Sequence, residues 1–141
     1  MLSLVYIEVC QKLFFDMVKN ISILIPQGFV LVPADKEQQK KADIEQYNSA
    51  TKAVELAQDE LNGNAPFIPE NFYNEYDEII KLCTYQLNEF NRRWTISCRG
   101  SQEDKETISV EAYDRTGEII KKFKKLNNEI RKYLSNLDVL E

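Results

Sequence analysis

The chemistry open to this 141-residue chain is limited first by what it lacks, for it contains no histidine. The usual general base at neutral pH, the commonest zinc ligand and the Glu-x-x-His pattern of carboxylate-bridged metal bundles all go with it. Carboxylates remain, and Glu75, Asp77 and Glu78 lie close together in sequence, as acid–base chemistry would need. Their positions fall off the apolar line Tyr73, Tyr76, Ile80, so the spacing predicts three solvated side chains on the outside of a helix. Cys10, Cys83 and Cys98 are odd in number and share no paired spacing, the usage of reduced thiols in a cytoplasmic setting. Cys83 continues the apolar line and reads as a small buried hydrophobe. Cys98 follows Arg92 and Arg93 and precedes Arg99, charges that favour a thiolate, but no base stands near it in sequence. No glycine-rich phosphate loop and no serine elbow occur, and Asn62-Gly63-Asn64 reads as a turn. A hydrolase or transferase is not expected, nor a bound metal or cofactor.

Binding is the remaining chemistry. The formal net charge is −5, whereas phosphate backbones attract a surplus of lysine and arginine, so nucleic acid is not the expected partner. Basic residues cluster in two places. Lys121, Lys122, Lys124, Lys125, Arg131 and Lys132 interleave with the apolar Phe123, Leu126 and Ile130, as on the outer face of an amphipathic helix, which could also meet an acidic partner or a membrane surface. Arg92, Arg93 and Arg99 with the adjoining polar residues form the expected partner-binding spot, on arginines that a helix C-terminus favours.

These side chains must be carried by helices. Three runs place apolar or aromatic residues at alternating three- and four-residue steps: Tyr47, Ala50, Val54, Ala57, Leu61; Tyr73, Tyr76, Ile80, Cys83, Leu87, Phe90, Trp94; and Thr116, Ile119, Phe123, Leu126, Ile130, Tyr133, Leu137, Leu140. Each run is one stripe of a helix, and stripes hide best against each other. A first helix carries Ile7, Cys10, Phe14, Met17, Ile21 and Leu24 with Tyr6, Val9 and Leu13 beside them, a face broad enough for two neighbours or for another chain. Pro26, Gln27 and Gly28 stop it. The expected fold is all-α, an up-down four-helix bundle of long, heptad-patterned helices over about 3–24, 35–62, 70–96 and 107–137, forming one domain over 1–141. Short connections favour helices that fold back on each other over an intermolecular coiled coil. Phe29–Val32 reads as a packed linker and residues 97–106 as a mobile polar loop. Ala50 and Ala57 predict a close helix approach, Phe67 and Ile68 an apolar plug at the bundle end, and Gly117 a tight contact or a weak point.

The most apolar segment, 2–25, carries Glu8, Lys12, Asp16 and Lys19, too many charges for a spanning helix, and no basic residue precedes it as in a signal peptide. Pro66-Phe67-Ile68-Pro69-Glu70-Asn71-Phe72-Tyr73, Glu78-Ile79-Ile80-Lys81-Leu82-Cys83 and Glu129-Ile130-Arg131-Lys132-Tyr133-Leu134 resemble segments of uncharacterised bacterial all-helical proteins in which a membrane anchor and a coiled coil often precede a C-terminal helical domain. The similarity covers mainly residues 66–141. It implies an all-helical domain and carries over no catalytic residue; without such an anchor, this chain would be a free-standing or shortened version. The residues thus point to a non-enzymatic, cytoplasmic interaction or scaffolding module, a possible homodimer through its first helix, with membrane contact at most peripheral. The alternatives are a bundle that holds an apolar small molecule between Tyr73, Tyr76, Phe90, Trp94, Phe123 and Tyr133, and a membrane-surface module using the basic fourth helix.

Overall fold

A computed structural model describes residues 2–27, 36–99 and 109–140, and these are helical almost throughout. The four helices are α1 (Leu2–Leu24), α2 (Lys36–Gly63), α3 (Glu70–Arg99) and α4 (Val110–Leu140), with a single turn of 3-10 helix at Ala65–Phe67 before α3. No strand occurs among the described residues. The chain is all-α, as the periodicity requires.

Named contacts fix the directions. Gln46 reaches back to Asn20, Tyr47 stacks on Phe90 while Asn62 meets Tyr73, and Phe72 packs edge-on against Tyr133 while Gln86 meets Thr116. With two spaced contacts each, α2 and α3, and likewise α3 and α4, run opposite ways. α1 touches all three others, and its inward face, Ile7, Cys10, Phe14, Met17, Ile21 and Leu24, is buried in a common core. Against it lie Ala50, Ala57 and Leu61 of α2, each fully buried, so the small residues do allow close approach. Phe72, Tyr76, Ile79, Cys83 and Phe90 of α3 and Ala112, Ile119, Phe123, Leu126 and Ile130 of α4 complete the core. Removing any large member of this set to alanine would cost about 2–5 kcal/mol.

The helix ends follow local chemistry. After α1, Ile25 remains hydrogen-bonded to Ile21, and Pro26 then prevents continuation. Only half of the plug holds: Ile68 is buried, whereas Phe67 stacks on Tyr6 at a centroid distance of 5.1 Å but remains exposed. Ser109 caps α4, its hydroxyl accepting from the backbone N–H of Ala112 at 3.2 Å. Two boundaries correct the sequence reading. α3 extends to Arg99 rather than 96, because Thr95–Arg99 contains no helix breaker before Gly100 even though the apolar pattern has ended; residues 97–99 are helix, not loop. α4 begins at Val110 rather than 107 and continues to Leu140. The remaining loop residues, 100–106, and the Phe29–Val32 linker lie outside the described residues. Gly117 makes the expected close contact, for a Cβ there would meet the Gln27 side chain at 3.0 Å.

Candidate functional site

Two polar clusters interrupt the seam between α3 and α4. The first surrounds Gln86, whose place in the buried line Phe72, Tyr76, Ile79, Cys83, Gln86, Phe90 puts an amide in the core. Its Nε2 donates to the Ala112 carbonyl at 2.8 Å and to Thr116 Oγ1 at 2.9 Å, while its Oε1 accepts from Arg115 at 2.8 Å. Thr116 in turn donates to the Ile25 carbonyl at 2.6 Å, satisfying a backbone group left over at the end of α1. Arg115 also pairs with Glu89 at 2.8 Å and lies 4.0 Å above the Tyr85 ring, and the Ser109 hydroxyl donates to Glu89 at 2.5 Å. Burial opposes ionisation of Glu89, but Ser109 and Arg115 together outweigh it and hold the carboxyl below the usual carboxylate range.

The second cluster corrects an expectation. Glu75 does not project into solvent: it is half-buried, and its Oε2 is shut away from water with no hydrogen-bond donor. Burial raises its carboxyl to about 7, helped by a hydrogen bond and charge repulsion from Glu129, with Lys125 acting in the opposite sense and Glu78 adding repulsion. Two carboxyls can share a hydrogen bond only when one holds a proton. The antiparallel register brings Glu129 to Glu75, a pairing that neither helix reveals alone. Glu78 is exposed as expected and meets Lys122 at 2.8 Å, holding that ammonium above its ordinary range. Nearby, Tyr76 donates to Gln11 Oε1 at 2.7 Å and Gln11 donates to Asn127, a chain across α3, α1 and α4.

The predicted partner-binding arginines are only partly placed. Arg92 is exposed on α3 and borders an open depression with Tyr85, Asn88, Glu89, Ser109 and Arg115. The side chains of Arg93 and Arg99, like those of Trp94 and Cys98, lie outside the described residues. Cys10 and Cys83 are buried thiols; burial pushes Cys10 up to about 11 and Cys83 further in the same direction. Neither is a thiolate nucleophile at neutral pH. Among the described residues no cluster of three or more Cys, Asp or Glu side chains could hold a metal ion. The aromatic residues of the stripes are largely occupied with each other: Phe14 against Tyr76 at 4.4 Å, Tyr47 on Phe90 at 5.9 Å, Phe72 against Tyr133 at 5.2 Å.

The chain significantly matches no family model, no curated protein and no solved structure. The surface must therefore be read from its own chemistry.

Among the described residues, the outer face of α1 exposes the most large apolar side chains of any helix. It presents Leu4, Val5, Val9, Phe15 and Ile23, with Phe15 58% and Ile23 56% exposed. Between them stand Glu8, Lys12, Asp16 and Lys19, all exposed. On the α4 side, two open grooves of about 520 and 480 Å³ border this face, the first lined by Lys12, Phe15, Asp16 and Phe123, the second by Leu4, Glu8, Lys12 and Leu134. No helix among the described residues is long and apolar enough to cross a membrane.

Proposed function

We propose that this protein is a non-enzymatic interaction module that associates with a second copy of itself through the outer face of α1. The observation that carries the reading is that α1 buries a complete apolar stripe against its three neighbours and still exposes five large apolar residues on the opposite side. Single exposed apolar side chains are ordinary, but five on one helix face bordered by grooves have the character of an interaction surface. The occupant is argued from charge. This face carries two acids and two bases in a chain of net −5, so two copies meet there without the like-charge repulsion that their other surfaces would impose. The mutual packing of the aromatic stripes favours this reading over an apolar small molecule held between them.

Sedimentation velocity over a wide concentration range tests the proposal. A concentration-dependent shift from monomer to dimer is expected, and Phe15→Asp should abolish it while leaving the helical circular dichroism unchanged. A particle that stays monomeric up to millimolar concentration overturns the reading.

A further inference from the structure

The charges on the outer face of α1 occur in an order that fixes how two copies would meet. Leu4, Glu8, Lys12, Phe15, Lys19 and Ile23 follow steps of four, four, three, four and four residues, which keeps them in one stripe of the helix surface. All six are exposed. The stripe is also its own complement when reversed. Taken about a midpoint between residues 13 and 14, Leu4 falls opposite Ile23, Glu8 opposite Lys19, and Lys12 opposite Phe15. Apolar meets apolar at both ends, acid meets base inside them, and an ammonium with its aliphatic stem meets an aromatic face at the centre.

We infer that two copies of this chain pair through an antiparallel, two-fold α1–α1 contact in this register, with Glu8 of each copy against Lys19 of the other. The inference rests on the self-association proposed above and deepens it. A two-fold contact requires one patch to be complementary to itself, and an antiparallel helix pair is the arrangement in which this stripe meets the requirement. A parallel pair in register would place Glu8 against Glu8, Lys12 against Lys12 and Lys19 against Lys19, three like-charge contacts along the seam. The ion pair within each helix, Glu8 to Lys12 at 3.7 Å with side chains 66% and 77% exposed, is long and open to water, so Glu8 gives up little by turning to a partner. The seam would run about 28 Å, from the helical rise between Leu4 and Ile23. One helix pair of that length is small for an interface, which places the dimer in the weak, micromolar or looser range.

A charge-swap series read by sedimentation equilibrium tests the register. Glu8→Lys sets two lysines against each other at both symmetric positions, and Lys19→Glu sets two glutamates; each should weaken the dimer about tenfold, less at high salt, where exposed charges are screened. The double variant Glu8→Lys/Lys19→Glu restores opposite charges between copies and should recover most of the wild-type affinity. It retains the altered spacing to Lys12 within each helix, so recovery cannot come from the isolated helix. A dimer that both single reversals leave unchanged, or that the double variant weakens further, overturns the register while leaving self-association standing. A wild-type chain that is monomeric throughout overturns both.

Discussion

The two polar clusters on the α3–α4 seam differ in how their charges are met. Around Gln86 every buried polar group found a partner: Arg115 answers both Gln86 and Glu89, Thr116 answers the end of α1, and Ser109 caps α4 while donating to Glu89. Some three helical turns away, Glu75 faces another carboxyl, and one of its oxygens has no donor. The first cluster fixes a register, because only one alignment of α3 on α4 satisfies all its members. The second opposes close approach of the same helices whenever both acids are ionised. The seam is thus pinned at the Ser109 end and electrostatically loosened near Glu75, and the two regions should respond to pH in opposite directions.

Removing the pin should have the largest effect. Arg115→Ala leaves Glu89, whose side chain is only 11% exposed, without its cation, strips the donor from Gln86 Oε1 and uncovers Tyr85. Breaking a buried pair from one side costs about 3–5 kcal/mol; with Arg115 itself 17% exposed, a loss of about 3 kcal/mol in urea unfolding is expected. The acid limb of the stability profile should change with it. Glu89 is held below its ordinary range, so its contribution is present above the unfolded carboxylate value and is lost as pH falls through the folded one. The variant should lose less stability on acidification than the wild type. A cost below about 1 kcal/mol would mean that the cluster does not pin the seam.

The difference between the clusters also explains what a sequence reader can see. The four helices were legible because Ala50, Val54, Ala57 and Leu61, or Ile119, Phe123, Leu126 and Ile130, repeat with the period of the backbone, and periodicity is a local property. The burial of Cys83 and the tight contact at Gly117 followed from the same local logic. Gln86 was hidden because a polar residue breaks the apolar count, although its place three residues after Cys83 and four before Phe90 could have marked it as a core amide. Glu75 was illegible in a stronger sense. It lies off the stripe of its own helix, and only the register set by Phe72 against Tyr133 and Gln86 against Thr116 brings Glu129 to it. Arg92 is exposed, while the side chains of Arg93 and Arg99 lie outside the described residues.

A smaller effect of opposite sign should come from relieving the loosened region. Glu75→Gln replaces a carboxylate that repels Glu129 with an amide that can donate to it. With the folded carboxyl raised to about 7, its stabilising contribution is fully present below the unfolded value near 4.5 and is lost as pH rises through about 7. The variant should therefore exceed the wild type by about 1 kcal/mol at pH 8, a figure reduced for solvent screening at a half-buried site, and show no advantage at pH 5. Urea midpoints at the two pH values decide it. An equal gain at both would assign the effect to packing and remove the carboxyl pair as the cause of the loosening.

Gly117→Ala gives the smallest effect and asks whether the pinned end tolerates any crowding. Gly117 follows Thr116 directly, has no positive φ, and an added methyl would meet the amide nitrogen of Gln27 at 3.0 Å with the rest of that side chain at 3.4 Å. Gln27 is exposed and its amide is the far end of a flexible chain, so it can swing clear. Alanine gains up to about 1 kcal/mol over glycine in a helix interior, and moving Gln27 returns part of that. The expected outcome is a net gain of about 0.5 kcal/mol by urea unfolding, with the Thr116 bond to Ile25 intact. If the substitution instead costs 1 kcal/mol or more, the close approach of residue 27 to α4 is itself part of the pin, and the rigid region extends beyond the α3–α4 seam to the end of α1.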